Sequence, residues 1–122
     1  MRFTVPGPPV PKKRPRVVKF GGKAHAYTPQ ETVSYERKVG WVARMEGVKP
    51  TPKAKEVVLS VYFYYKGRRP DIDNLVKAVM DGLNSIGYED DNQVGELHIK
   101  RLPDPANPRA VVTVEEIVET AK

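Results

Sequence analysis

The sequence predicts an α+β fold: one small domain in which a mixed sheet of four or five strands carries two helices. Three observations point to it. The stretch Glu56 to Tyr65, "EVVLSVYFYY", is rich in β-branched and aromatic residues, which favour a pleated, buried surface. Ile72, Leu75, Val76, Val79, Leu83 and Ile86 recur at spacings of three and four, the period of a helix with one apolar stripe. The chain has 122 residues, enough for one compact domain and too few for two ordinary ones. No internal repeat or linker divides residues 1–122.

Taken in order, Arg2 to Val5 reads as a short strand, stopped by "PGPPVP". Between Val17 and Tyr27 a Gly-Gly pair separates "RVVKF" from "KAHAY", which reads as a hairpin or a mobile loop. Thr28-Pro29-Gln30-Glu31 reads as a helix start, with Thr28 as N-cap, Pro29 in the first position and Glu31 in the third. Tyr35, Val39, Val42 and Ala43 continue it at helical spacing, and Gly47 and Pro50 end it. The strand from Glu56 to Tyr65 is apolar on both faces, so it belongs in the middle of a sheet covered by helices. A second helix runs from about Ile72 to Asn84. Glu96 to Leu102 and Ala110 to Ile117 read as late strands, joined through Pro103, Pro105, Asn107 and Pro108.

Lys and Arg total 21 against 15 Asp and Glu, a formal charge of +6. That surplus suits a polyanionic partner, nucleic acid or an acidic membrane surface. With no Cys, structural disulfides and thiolate metal sites are excluded, and a reducing cytoplasm fits. No apolar run approaches the roughly 18 to 20 residues that span a bilayer. The N-terminus lacks the apolar core of a signal peptide, so a soluble cytoplasmic protein is expected. No Walker loop or dinucleotide-binding glycine pattern occurs.

The segment "RRPDIDNLVKAVMDGLNSIGYEDDNQV", Arg68 to Val94, gathers acidic residues at both ends of one helix. The plain reading makes Asp71 a helix cap, puts Asp73 in the favourable end of the helix dipole, and makes Asp90 and Asp91 turn residues. Geometry allows more. A helix from Ile72 to Asn84 rises roughly 20 Å, and an extended return from Ser85 to Asp91 covers a similar roughly 20 Å. The expectation is that Asp71, Asp73 and Asp91 converge within about 6 Å of a common point, where hard cations such as Mg²⁺ or Mn²⁺ offset their repulsion. Lys77, four residues beyond Asp73, either forms a surface ion pair with Asp73 or Asp81 or faces a developing charge. Such a cluster in a basic protein suggests metal-assisted phosphodiester hydrolysis. His25 and His98 lack ligand spacing and are assigned no metal.

D-x-D-N-x-x-K, a helix stripe, then D-D-x-Q resembles the signature of the RusA endodeoxyribonucleases, the Holliday junction resolvases common in prophages. The resemblance is specific over Arg68 to Val94 and looser over "VPGPPVPKKRPR" and "LHIKR". It implies a RusA-like fold, a Mg²⁺-dependent homodimer, and symmetrical cutting of four-way junctions in recombination and repair. It implies that Asp71, Asp73 and Asp91 are catalytic carboxylates and metal ligands, with Asp90 a further ligand and Lys77 the catalytic lysine. Asn74 and Gln93 match as supporting hydrogen-bonding groups.

The first acidic residue is Glu31. Residues 1–30 therefore form a basic arm and hairpin, in which Lys12, Lys13, Arg14 and Arg16 are expected to contact phosphates. Arg68 and Arg69 form a second basic group beside the acidic segment. Tyr27, Tyr35 and Trp41 read as core or dimer packing in preference to base stacking. A DNA-binding module without catalysis, or a D-x-D nucleotide-sugar transferase, would use the same motif differently. The transferase leaves the basic surplus unexplained.

Overall fold

The computed structural model describes residues 1–118; residues 119–122 of the expected 1–122 domain lie outside the described residues. The chain forms strand β1 (Arg2–Pro6), strands β2 (Arg16–Phe20) and β3 (Lys23–Tyr27), helix α1 (Gln30–Met45), strand β4 (Val57–Tyr65), helix α2 (Ile72–Gly82), a 3₁₀ turn (Asp91–Gln93), and strands β5 (Val94–Pro103) and β6 (Arg109–Glu116). β1, β4, β5 and β6 make one sheet in the order β1-β6-β4-β5, while β2 and β3 pair only with each other. β5 runs parallel to β4, and β6 runs antiparallel to both β4 and β1. The sheet is mixed and the fold is α+β, as the strand and helix periodicities predict.

β4 lies inside the sheet, but helices cover only one of its faces. Val57, Leu59, Val61 and Phe63 are fully buried. They join α1 residues Tyr35, Val39 and Ala43 and α2 residues Leu75, Ala78 and Val79 in a single core. The opposite face carries Tyr62, 45% exposed, and Tyr64, whose ring lies under the Arg109 guanidinium at 3.8 Å. Tyrosine presents an apolar body and a polar tip, so the apolar-looking run tolerates water on that side. This corrects the expectation of a strand covered on both faces.

The two helices approach closely through glycines. A Cβ on Gly82 would stand 2.8 Å from the Glu36 carbonyl, and one on Gly40 would stand 2.9 Å from the Gly82 carbonyl. α1 starts one residue later than expected. Pro29 is the N-cap and Gln30 the first helical residue, with no side-chain cap, so Thr28 does not cap. The Pro29 carbonyl instead accepts from the Thr32 and Val33 N–H groups at 3.1 and 3.2 Å. No helix among the described residues is long and apolar enough to cross a membrane.

Parallel strands need a crossover, and α2 is the crossover between β4 and β5. The start of β5 therefore lies beside the start of β4, with Val94 opposite Val57 and Pro103 opposite Tyr65. This register places the acidic residues.

Candidate active site

Asp71 follows the end of β4 and is the N-cap of α2. Its side chain makes no capping hydrogen bond, so the plain capping role is not realised. Asp73 and Lys77 are exposed on the same side of the helix. Among the described residues neither takes part in an ion pair. Of the two readings of Lys77, the surface pair with Asp73 or Asp81 does not form; Asp81 is taken by Lys12. Asp73 and Lys77 instead border a groove of about 360 Å³ whose floor is Ile72, Val76, Met80, Leu97 and Ile99.

Two contacts hold the entry to α2 in place. The Arg101 guanidinium donates to the Pro70 carbonyl at 2.6 Å, tying β5 to the residue before Asp71. The Lys12 N–H donates to the Asn74 carbonyl at 2.9 Å, laying the N-terminal arm against the first turn. The arm, the end of β4 and Asp71 enclose a hollow of about 460 Å³, walled by Lys13, Lys66, Arg68 and Arg69. Four cations around one carboxylate make a surface suited to a phosphodiester approaching an anionic centre. The sequence did not single out Arg101; its only trace was the late run "LHIKR".

Asp90 and Asp91 occupy the other end of the crossover. The expected extended return from Ser85 to Asp91 is absent. Ser85 has φ 66°, Asn84 pairs back with Tyr88, and the Tyr88 hydroxyl donates to the Met80 carbonyl at 2.7 Å. The chain turns tightly beneath α2, and β5 makes the return after the acidic pair instead of before it. α2 has 11 residues, so roughly 16 Å of helix separates the two acidic ends. Among the described residues no three His, Cys, Asp or Glu side chains form a group able to hold a metal. The expected convergence of Asp71, Asp73 and Asp91 within one chain therefore fails, for this topological reason.

The buried amide of Gln93 pins the acidic turn. Its Oε1 accepts from the Glu89 and Asp90 N–H groups at 2.8 and 2.9 Å. Its Nε2 donates to the carbonyls of Thr51, Pro52 and Lys55 at 3.2, 2.9 and 2.9 Å. This is the backbone-bonding role expected of it. The two aspartates differ. Asp90 accepts from the Asn92 N–H at 3.1 Å, and that bond chiefly lowers its pKa. Asp91 is pushed up, first by desolvation and then by Asp90 and Asp81, with Lys77 pulling the other way. Asp91 thus stands near two other carboxylates, with Lys77 offsetting part of their charge.

The basic arm divides. Lys12, partly buried, pairs with Glu36 at 3.2 Å and with Asp81. Burial alone would lower its pKa, but the hydrogen bonds and charges of Asp81 and Glu36 outweigh that and raise it. Those two carboxylates are the partners of Lys12, which was expected to contact phosphate, in the chain without DNA. Lys13 pairs with Glu31 on the surface, while Arg14 and Arg16 are exposed. Tyr35 is core, whereas Tyr27 and Trp41 are 47% and 64% exposed.

The family model described as Endodeoxyribonuclease RusA matches residues 6–115. The uncharacterized protein YqaN of Bacillus subtilis (strain 168) is 30% identical over 138 aligned positions, covering 96% of each chain. The crossover junction endodeoxyribonuclease rusA of Lactococcus phage r1t is 29% identical over 124 positions, covering 89% of this chain and 91% of the phage protein. The chain belongs to the RusA endodeoxyribonuclease family, nucleases that hydrolyse phosphodiester bonds.

Proposed function

We propose that this protein resolves four-way DNA junctions in recombination and repair, as a cytoplasmic homodimer that requires Mg²⁺, with Mn²⁺ able to substitute. The family supports the reaction class, and the phage relative, a crossover junction endodeoxyribonuclease, supports the junction as substrate. The observation that carries the reading is the exposed Asp71, free of any capping bond, in a hollow walled by Lys13, Arg68 and Arg69, with Asp73 and Lys77 on the adjoining groove along α2. Arg14 and Arg16 extend the phosphate-binding surface along the arm.

The carboxylates suit a hard divalent cation by donor chemistry, but one chain does not assemble them. A two-fold dimer supports both needs at once. It relates two centres as the two target strands are related. It also allows the Asp71–Asp73 end of one chain to meet the Asp90–Asp91 end of its partner. The apolar groove between α2 and β5, with Leu97 46% exposed on the sheet's outer strand, is the surface for that meeting. When bound, the cation supplies charge neutralisation and an activated water. Lys13, Arg68 and Arg69 hold the phosphodiester, and Lys77 places a positive charge beside it.

The test is a synthetic four-way junction incubated with wild type and with Asp73→Asn, with and without Mg²⁺. Wild type is expected to cut paired strands only with metal, while Asp73→Asn binds and does not cut. Stable binding without cutting by wild type would favour a DNA-binding module instead.

A further inference from the structure

The β2–β3 ribbon is an element the nuclease reading leaves unexplained. All ten of its residues are exposed. Among the described residues it makes no substantial packing contact with any other helix or strand. A two-stranded hairpin alone in water is at best marginally stable, yet this one exposes Val17, Val18, Phe20 and Tyr27. Such a ribbon is built to be covered.

Its register sorts the side chains. Arg16 opposes Tyr27, Val18 opposes His25, and Phe20 opposes Lys23, so these six share one face. The Phe20 and His25 rings meet edge to face at 6.4 Å on that face. The other face holds Val17, Ala26, Lys19 and Ala24. The turn is a two-residue Gly21-Gly22 loop with φ 61° and 79°, the doubly positive geometry of a tight hairpin. Nothing lies within 4 Å of where a Cβ would stand on either glycine, so the tip is narrow, and Phe20 stands next to it.

The chemistry of the face selects its partner. It carries cations and aromatic rings and no carboxylate, and neither Arg16 nor Lys23 takes part in an ion pair among the described residues. An apolar protein surface would leave those cations desolvated and unpaired. A nucleic acid satisfies both classes, phosphates pairing with cations and base faces stacking on rings. A two-stranded ribbon also has the width that a DNA groove admits.

We propose that the β2–β3 ribbon is a junction-sensing wedge. Phe20 at its tip stacks on a base exposed at the branch point, and Arg16 and Lys23 grip the flanking phosphates. This rests on the four-way junction as substrate. It assigns structure selectivity to an element remote in sequence from the carboxylates. A branch point offers base faces that a continuous duplex keeps stacked, so Phe20 gains a partner only on branched DNA.

The test compares a four-way junction with a linear duplex of the same sequence, without divalent metal, for wild type, Phe20→Ala, Phe20→Tyr and Arg16→Ala with Lys23→Ala. Phe20→Ala is expected to bind the junction tenfold or more weakly than wild type and the duplex within twofold of wild type. Phe20→Tyr is expected to restore junction binding. The arginine–lysine variant is expected to lose affinity for both DNAs and to show a shallower salt dependence. Phe20→Ala that keeps the wild-type junction preference overturns the wedge while leaving the resolvase reading intact. Phe20→Ala that converts a dimer to a monomer by light scattering also overturns it, making the ribbon a clasp between subunits. Wild-type protein with no preference for the junction sinks both readings.

Discussion

Asp73 and Gln93 show how differently two polar residues of one motif work. Asp73 is exposed and forms no ion pair among the described residues, so Asp73→Asn removes a charge without breaking a salt bridge. Stability is expected to change by less than about 0.5 kcal/mol, while cleavage falls by orders of magnitude. Junction affinity is expected to hold or rise, because one fewer carboxylate repels phosphate. Gel shift without metal and cutting with Mg²⁺ check both. Gln93, 4% exposed, serves two N–H groups and three carbonyls. Gln93→Leu strands several of those groups in the interior and is expected to cost about 2–4 kcal/mol. Urea unfolding measures that loss, and cleavage by the folded fraction is expected to fall as well, since Asp90 and Asp91 lose their anchor. A Gln93→Leu protein as stable as wild type would show that the amide does not hold the turn.

At the scale of elements, the arm and the helix pair make separate predictions. Lys12 bridges Glu36 on α1 and Asp81 on α2, with side chains only 21–23% exposed. Lys12→Met leaves two carboxylates facing each other and is expected to cost about 1–2 kcal/mol. The raised Lys12 pKa sets the pH window. Its contribution is fully present below the unfolded value of 10.5 and is lost only as pH rises through the higher folded value. The difference between wild type and Lys12→Met is therefore expected to stay constant from neutral pH to pH ~9, as urea unfolding across that range would show. Gly82→Ala tests the helix contact. Alanine gains up to about 1 kcal/mol of helix propensity, but its Cβ would meet the Glu36 carbonyl at 2.8 Å, a backbone atom that cannot swing aside. Net destabilisation of about 1–3 kcal/mol is expected, read as a lower unfolding midpoint. Most of these elements were legible in the sequence, because the β-branched and aromatic run of β4 marks a strand and the period-3.6 stripe of α2 records its buried face, whereas the tyrosines of β4 hid which of its own faces meets water. The turn after α2 was not legible. Ser85 and Tyr88 bend it through a positive φ and a hydroxyl bond to Met80, and neither follows from residue type. The motif's residues were visible, but their convergence depended on whether the return preceded or followed Asp91, which a one-dimensional spacing cannot decide.

For the whole molecule, that ordering turns the oligomeric state into a matter of chemistry. In a parallel β4–α2–β5 unit the end of β4 and the start of β5 lie at opposite ends of the layer, so Asp71 and Asp91 of one chain sit at opposite ends of the crossover. If each catalytic centre joins Asp71 and Asp73 of one subunit to Asp91 of its partner, two inactive variants complement. In a heterodimer of Asp73→Asn with Asp91→Asn, one centre receives both substitutions and the other receives neither. Mixing the two variants, after partial unfolding and refolding to exchange subunits, is therefore expected to restore strand cutting to about a quarter of wild type. That is one half of the dimers with one of two centres intact, by random pairing under two-fold symmetry. Because such a heterodimer holds only one working centre, it is expected to nick a supercoiled cruciform plasmid, whereas wild type linearises it in one binding event. Light scattering at micromolar concentration must show a dimer for all three proteins. If the mixture stays inactive while exchange is verified with a size-tagged subunit, each centre is built within one chain, and the crossover must rearrange on DNA to bring Asp91 to Asp73.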